Sequence, residues 1–129
     1  MENQPTMRTD ISRVRHLGSA RSGTQHLWHM RLTSLALVPL TLGFVWLVLS
    51  LLGKDYQSVR AALAAPVAAV LMLLFTLTGV FHMKLGMQTI IEDYVHGEGA
   101  KTAAVTANIF FCCLVGAACV FAIFRISFV

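Results

Sequence analysis

Residues 32–53 read LTSLALVPLTLGFVWLVLSLLG, 22 positions without an Asp, Glu, Lys, Arg or His, bounded by Arg31 and Lys54. At about 1.5 Å per residue in a helix, this run slightly exceeds the roughly 30 Å hydrocarbon core of a bilayer. Two further runs repeat the pattern: 61–81, 21 residues between Arg60 and His82, and 102–124, 23 residues between Lys101 and Arg125. Three such gaps in 129 residues predict an all-α membrane protein with three transmembrane helices. Composition points the same way. The chain is 57% hydrophobic and 12% charged, and a soluble domain carries about twice that charge. The predicted spans are about 32–53, 59–91 and 102–125, within a three-helix membrane region 26–129 that follows a polar, basic segment 1–25.

The ends of the runs set the orientation. Three crossings place Arg8, Arg13, Arg15, Arg21, Arg31, Lys84 and Lys101 on one side, and Lys54, Arg60 and Arg125 on the other. The side rich in Lys and Arg is cytoplasmic by the positive-inside bias, which predicts a cytoplasmic N-terminus and a periplasmic C-terminus. The net charge of +4 therefore belongs to topology and to anionic lipid. It does not indicate nucleic acid, because residues 1–27 hold no aromatic to interleave with the arginines. No cleaved signal peptide is expected, since the first apolar run begins only near Leu32 and is too long for an h-region.

Punctuation within the chain is sparse. Trp28 has the position of an interfacial anchor, and Pro39 and Gly43 predict a kink in the first span. Gly53 to Ser58 reads as a tight outer loop. The second helix is expected to start near Val59 and to continue past His82 through Ile91, with Gly97-Glu98-Gly99 ending it. Cys112, Cys113 and Cys119 fall inside the third span without metal-like spacing. Cys112, Gly116 and Cys119 share one helical face, which suits close packing. No internal repeat is evident, which disfavours a repeat-built transporter.

His82 is the most informative residue. About three helical turns remain between it and Glu92-Asp93-Tyr94, so its imidazole sits at membrane depth. Ionisable groups there are costly and invite a functional role. Three roles fit: a proton-relay group, a hydrogen-bonding histidine of plain helix packing, or an axial ligand to haem iron. Gly79 at i−3 and Gly86 at i+4 strip the same face and leave a flat slot, although small residues equally serve close helix approach. Asp93 follows His82 by 11 residues, about three turns plus roughly 20°, or about 16 Å along the axis. A phenol that can donate and a carboxylate that can exchange protons with water would suit a quinone at that end. The plainer alternative makes Asp93 and Tyr94 ordinary interface residues.

The block HMKLGMQTIIEDYV, residues 82–95, resembles the signature of the small hydrophobic membrane anchor of succinate dehydrogenase (complex II). The pattern is H-x3-G-x6-D-Y, and all four marks match in spacing. Gly23 followed by Arg31 and Thr33 resembles the family's entry into its first helix. Ser12-Arg13-Val14-Arg15 with Leu17-Gly18-Ser19-Ala20 is most similar to the alphaproteobacterial branch. The resemblance covers residues 11–127, and its specific part is the block from His82 to Tyr94. One departure lies near the first helix, where Gln25 replaces a histidine of the family pattern and His26 comes one place later.

The resemblance implies residue roles. His82 is the expected axial ligand to the iron of haem b, with the second ligand a histidine of the companion membrane anchor. Gly79 and Gly86 form the haem slot, and Arg31 pairs with a haem propionate through its guanidinium fork. Asp93 and Tyr94 lie at the ubiquinone-reduction site. The implied partners are that companion anchor, an iron–sulfur protein and a flavoprotein, assembled in a bacterial inner membrane. The chain is not catalytic alone, having neither a dinucleotide fingerprint nor a cysteine array for iron–sulfur clusters. The rival reading is a small non-redox helical scaffold or transporter component in which His82 is a packing residue. Orientation is tested by reporter fusions: a fusion at Tyr56 should read periplasmic and one at Gly97 cytoplasmic, and the reverse pattern would reject the predicted topology.

Overall fold

The computed structural model describes residues 22–128. The basic positions Arg8, Arg13, Arg15 and Arg21, and the stretch from Ser12 to Ala20, lie outside the described residues. Four helices follow in order: α1 (Ser22–Leu51), α2 (Tyr56–Ala64), α3 (Pro66–Tyr94) and α4 (Glu98–Phe128). Of these, α1, α3 and α4 are long and apolar enough to cross a membrane.

α1 begins earlier than the apolar run suggests, at Ser22, and continues through Pro39 without interruption. Its hydroxyls satisfy themselves locally. Ser34 Oγ donates to the Met30 carbonyl at 2.8 Å, and Ser50 Oγ to the Leu47 carbonyl at 2.7 Å. Such back-bonding suits lipid, where no water is available to pair with a hydroxyl.

The expected helix from about Val59 to Ile91 is divided. Ala65, at φ −60° and ψ 137°, is extended, so it ends α2 and precedes Pro66 at the start of α3. The cause is local: a residue before proline is driven out of the helical region, whereas proline fits the first helical position, where its missing N–H costs nothing. The membrane span therefore starts at Pro66, and α2 is a separate short helix at its mouth. Asp55 caps α2, its Oδ2 accepting from the amides of Gln57 at 3.2 Å and Ser58 at 3.4 Å. Bonding from Ser58 holds the Asp55 carboxyl below its ordinary value, so the cap is complete at neutral pH and fades only as acid protonates it. Tyr56, Gln57 and Ser58 thus belong to a helix, and the loop shrinks to the residues around Gly53, whose φ of +75° requires glycine.

At the other end, α3 stops at Tyr94, with the Val95 amide bonded to the Ile91 carbonyl at 3.0 Å. Glu98 and Gly99 do not end α3 as expected; they open α4. Glu98 there lies in the first turn, where a negative charge complements the helix dipole.

α3 is the shared element: α1 and α4 both pack on it. On the α1 side Phe44 stacks on Phe75 with ring centroids 4.6 Å apart. A Cβ on Gly43 would stand only 3.2 Å from Leu71 Cδ1, so that glycine permits the close approach. On the α4 side Asn108, Cys112, Gly116 and Ile123 are buried, and a Cβ on Gly116 would meet Val80 Cγ1 at 3.4 Å. The predicted small-residue face of α4 therefore does its packing against α3. Outer faces stay apolar and open, with Leu35 at 72% and Trp46 at 77% exposure, as expected of surfaces meeting lipid or other helices. Both seams run antiparallel, which puts Arg31, Lys84 and Lys101 at one end and Lys54, Arg60 and Arg125 at the other.

The α1–α3 seam makes a prediction. Gly43→Val forces branched volume into a full contact and should destabilise by about 1–3 kcal/mol. Thermal unfolding of the detergent-extracted protein in its assembled state should shift down accordingly. Gly99→Ala, where an added Cβ meets nothing within 4 Å, should not lower it. Equal effects of the two substitutions would reject the tight seam.

Candidate functional site

His82 sits half-buried on α3 at the seam with α1. Its Nδ1 lies 2.9 Å from Thr33 Oγ1, a contact that joins positions 49 residues apart in the chain. The same hydroxyl reaches the carbonyls of His29 at 2.8 Å and Met30 at 3.0 Å. Thr33 is on the face of α1 that also turns Met30 and His26 inward. The Nε2 of His26 is buried with no hydrogen-bond partner. His29 is engaged differently: its Nδ1 donates to the Gln25 carbonyl at 2.7 Å, and its ring meets Phe81 edge-on with centroids 6.2 Å apart.

The two glycines flanking His82 are not equivalent. A Cβ on Gly79 would touch Leu37 Cδ2 at 4.0 Å, so α1 covers that turn. A Cβ on Gly86 would meet nothing within 4 Å, so the bare side of the helix lies on the turn below the imidazole. Arg31 is exposed on α1, two residues before Thr33 and on a different face.

Asp93 and Tyr94 form the end of α3. Both are exposed, Tyr94 at 78%. The backbone beneath them is fixed from α4: Lys101 Nζ donates to the Glu92 carbonyl at 2.8 Å, a cation on one of the carbonyls that a helix end leaves without an amide partner. Gln88 Nε2 bonds Glu92 Oε1 at 2.7 Å on the same turn. Two residues past His82, Asn108 Nδ2 donates to the Lys84 carbonyl at 3.0 Å and its Oδ1 accepts from Cys112 Sγ at 3.4 Å. α4 thus grips the backbone of α3 at Lys84 and Glu92, bracketing the segment that joins His82 to Tyr94.

Sequence reasoning overlooked Asn108. It is the only Asn or Gln within 102–124, and an amide at membrane depth is a signal of the same kind as His82, weaker only because it carries no charge. Thr33 was visible as a spacing match, but its partnership with His82 depends on how α1 and α3 register, which no local pattern encodes.

Among the described residues no three His, Cys, Asp or Glu side chains converge. The arrangement is therefore not that of a metal site built wholly from these side chains. It does suit a group that takes one imidazole from this chain and needs a bare helix face beside it. A cleft of about 570 Å³ lies at the opposite end, between α2 and the last turns of α4, lined by Tyr56, Arg60 and Arg125 among others. It is distant from the stripe that runs from His82 to Tyr94.

A family model described as succinate dehydrogenase/fumarate reductase transmembrane subunit matches residues 5–122. The succinate dehydrogenase hydrophobic membrane anchor subunit of Paracoccus denitrificans is 36% identical over 111 residues, covering 86% of this chain and 85% of that protein. The protein of the same description from Rickettsia bellii is 29% identical over 117 residues, 91% of this chain and 94% of its own. The succinate dehydrogenase membrane anchor subunit of Reclinomonas americana is 25% identical over 93 residues, 70% and 78% of the two chains. No solved structure is significantly similar. Three apolar crossings and this kinship make it a multi-pass protein of the bacterial inner membrane. The chain belongs to the succinate dehydrogenase/fumarate reductase transmembrane subunit family.

Proposed function

We propose that this chain is the membrane anchor of a succinate dehydrogenase, that it holds haem b through His82, and that Asp93 and Tyr94 form part of its ubiquinone-reduction site. The observation that carries the haem assignment is the pose of His82. One ring nitrogen, Nδ1, is held by Thr33, which leaves Nε2 for a ligand, and the helix beside it is bare at Gly86. When bound, haem b supplies a one-electron redox centre between the helices. Gly86 would give the macrocycle room, Gly79 lets Leu37 close the turn above, and Arg31 would be the residue to pair with a propionate through its guanidinium fork. The companion membrane anchor would supply the remaining ligand and would cover one of the open apolar faces.

At the end of α3, Tyr94 offers its hydroxyl to a quinone carbonyl, and Asp93 passes protons between that site and water. Their exposure supports this, because a quinone site at a subunit junction needs side chains that the single chain leaves free. The proposed orientation, with the N-terminus in the cytoplasm, puts Tyr94 on the side where an iron–sulfur protein and its flavoprotein partner would deliver electrons from succinate. The split of seven basic residues against three along the sequence supports that orientation. Kinship with named anchor subunits favours this reading over a non-redox scaffold or transporter component.

Two substitutions test the reading. In the assembled complex, His82→Ala should abolish or strongly alter the reduced haem b spectrum, and an unchanged spectrum and midpoint would reject ligation. Tyr94→Phe removes only the hydroxyl. A hydrogen bond worth about 0.5–1.5 kcal/mol translates to a roughly 2- to 13-fold loss of quinone reductase kcat/KM. Succinate oxidation by an artificial acceptor that takes electrons upstream should be unaffected. Asp93→Asn should lower kcat more than it raises KM, because polarity is kept while the proton path is lost. Wild-type quinone reduction by Tyr94→Phe at subsaturating quinone would move the site elsewhere.

A further inference from the structure

We propose that Thr33 is a positioning residue for the haem iron: its hydroxyl decides which nitrogen of His82 carries the proton, and thereby presents Nε2 to the metal. The inference rests on the haem reading above. Three atoms surround Thr33 Oγ1: the His29 carbonyl at 2.8 Å, the Met30 carbonyl at 3.0 Å and His82 Nδ1 at 2.9 Å. A hydroxyl has one proton and two lone pairs. The carbonyls can only accept, so contacts this short require the Thr33 proton to point at them, shared between the two. A lone pair is then left facing Nδ1. That contact is attractive only if Nδ1 carries the imidazole proton and donates it to Oγ1. A neutral imidazole protonated at Nδ1 holds its free lone pair at Nε2.

The reverse arrangement is worse on both counts. If Thr33 donated to Nδ1, its oxygen lone pairs would face two carbonyl oxygens at 2.8 and 3.0 Å with no hydrogen between them. The imidazole proton would then move to Nε2 and block ligation. The back-bonding of Thr33 to its own helix, ordinary for threonine in an apolar span, thus acquires a consequence 49 residues away. A hydrogen bond from the distal N–H of a ligating histidine also makes the ring a stronger donor, which favours the ferric state and steadies the ring plane.

The test uses the assembled complex, with assembly checked by succinate oxidation through an upstream artificial acceptor. Thr33→Val keeps the shape and removes the acceptor, whereas Thr33→Ser keeps the hydroxyl. Redox titration of the haem and the electron paramagnetic resonance signal of its ferric form are the readouts. Thr33→Val should weaken the ferric preference by up to about tenfold, which for a one-electron couple is about 59 mV upward, and should shift the ferric signal. Thr33→Ser should restore wild-type values in both. Thr33→Ala, read by the same measurements, serves if the valine form does not assemble. A wild-type midpoint and signal in the acceptor-free variant would overturn the role of Thr33, provided His82→Ala has removed the haem spectrum. If His82→Ala leaves that spectrum intact, the haem reading itself fails and takes the inference with it.

Discussion

A polar group that a helix carries into the membrane has to find its partner within its own helix or on a neighbour, because lipid offers none. That constraint shapes the molecule more than any apolar contact does. An apolar side chain gains nothing by leaving lipid tails for a neighbouring helix, so the seams are held by close packing of small residues and by a few specific hydrogen bonds. The His82 ring is answered by Thr33, the Lys84 carbonyl by Asn108 and the Glu92 carbonyl by Lys101. The first comes from α1 and the other two from α4. α3 is central because α1 and α4 both pack on it and each of these bonds ends on it.

Much of this was legible in the sequence, and the parts that were not share a cause. The number of membrane-spanning helices followed from three gaps in charge, since a charge at the bilayer centre is costly enough to leave a mark in any sequence. The face of α4 that packs was legible in the spacing of Cys112, Gly116 and Cys119, since periodicity is a local property. The division at Ala65 was missed in the expected span 59–91, although Pro66 carries a local signal for it. Hydropathy ran level across that boundary, and only backbone stereochemistry distinguishes a kink from a break. Registers were another matter. That Thr33 meets His82, or that Asn108 meets Lys84, depends on the axial offset between two helices, and any single helix is compatible with many offsets.

The exposed faces make sense only in company. A single chain leaves Trp46, Phe110 and Tyr94 at 77%, 71% and 78% exposure. For the first two, lipid or a neighbouring helix is an adequate environment. Tyr94 is different, because a phenol at the membrane boundary is half apolar and half a donor. It is satisfied by water, by headgroups or by a ligand carbonyl, and the quinone proposal selects the last. Likewise, in the haem proposal an imidazole with one nitrogen tied to α1 and a bare turn below it is half of a site, and the other half would come from outside this chain.

The two proposed sites are joined by a single piece of secondary structure, and this has a mechanical consequence. His82 and Asp93 are 11 residues apart on an unbroken helix, about 16 Å of axial rise with no loop between them. α4 clamps that segment by bonding backbone carbonyls at Lys84 and Glu92 and makes no direct use of the functional side chains. A clamp on backbone fixes position while leaving side chains free to bind and to exchange protons. The distance from imidazole to phenol is thereby set by helix geometry and held by α4. The environment of the imidazole is set separately by α1, through Thr33. Position and chemistry thus depend on different neighbours, so under the haem proposal the donor strength of His82 would be altered at Thr33 without moving Tyr94.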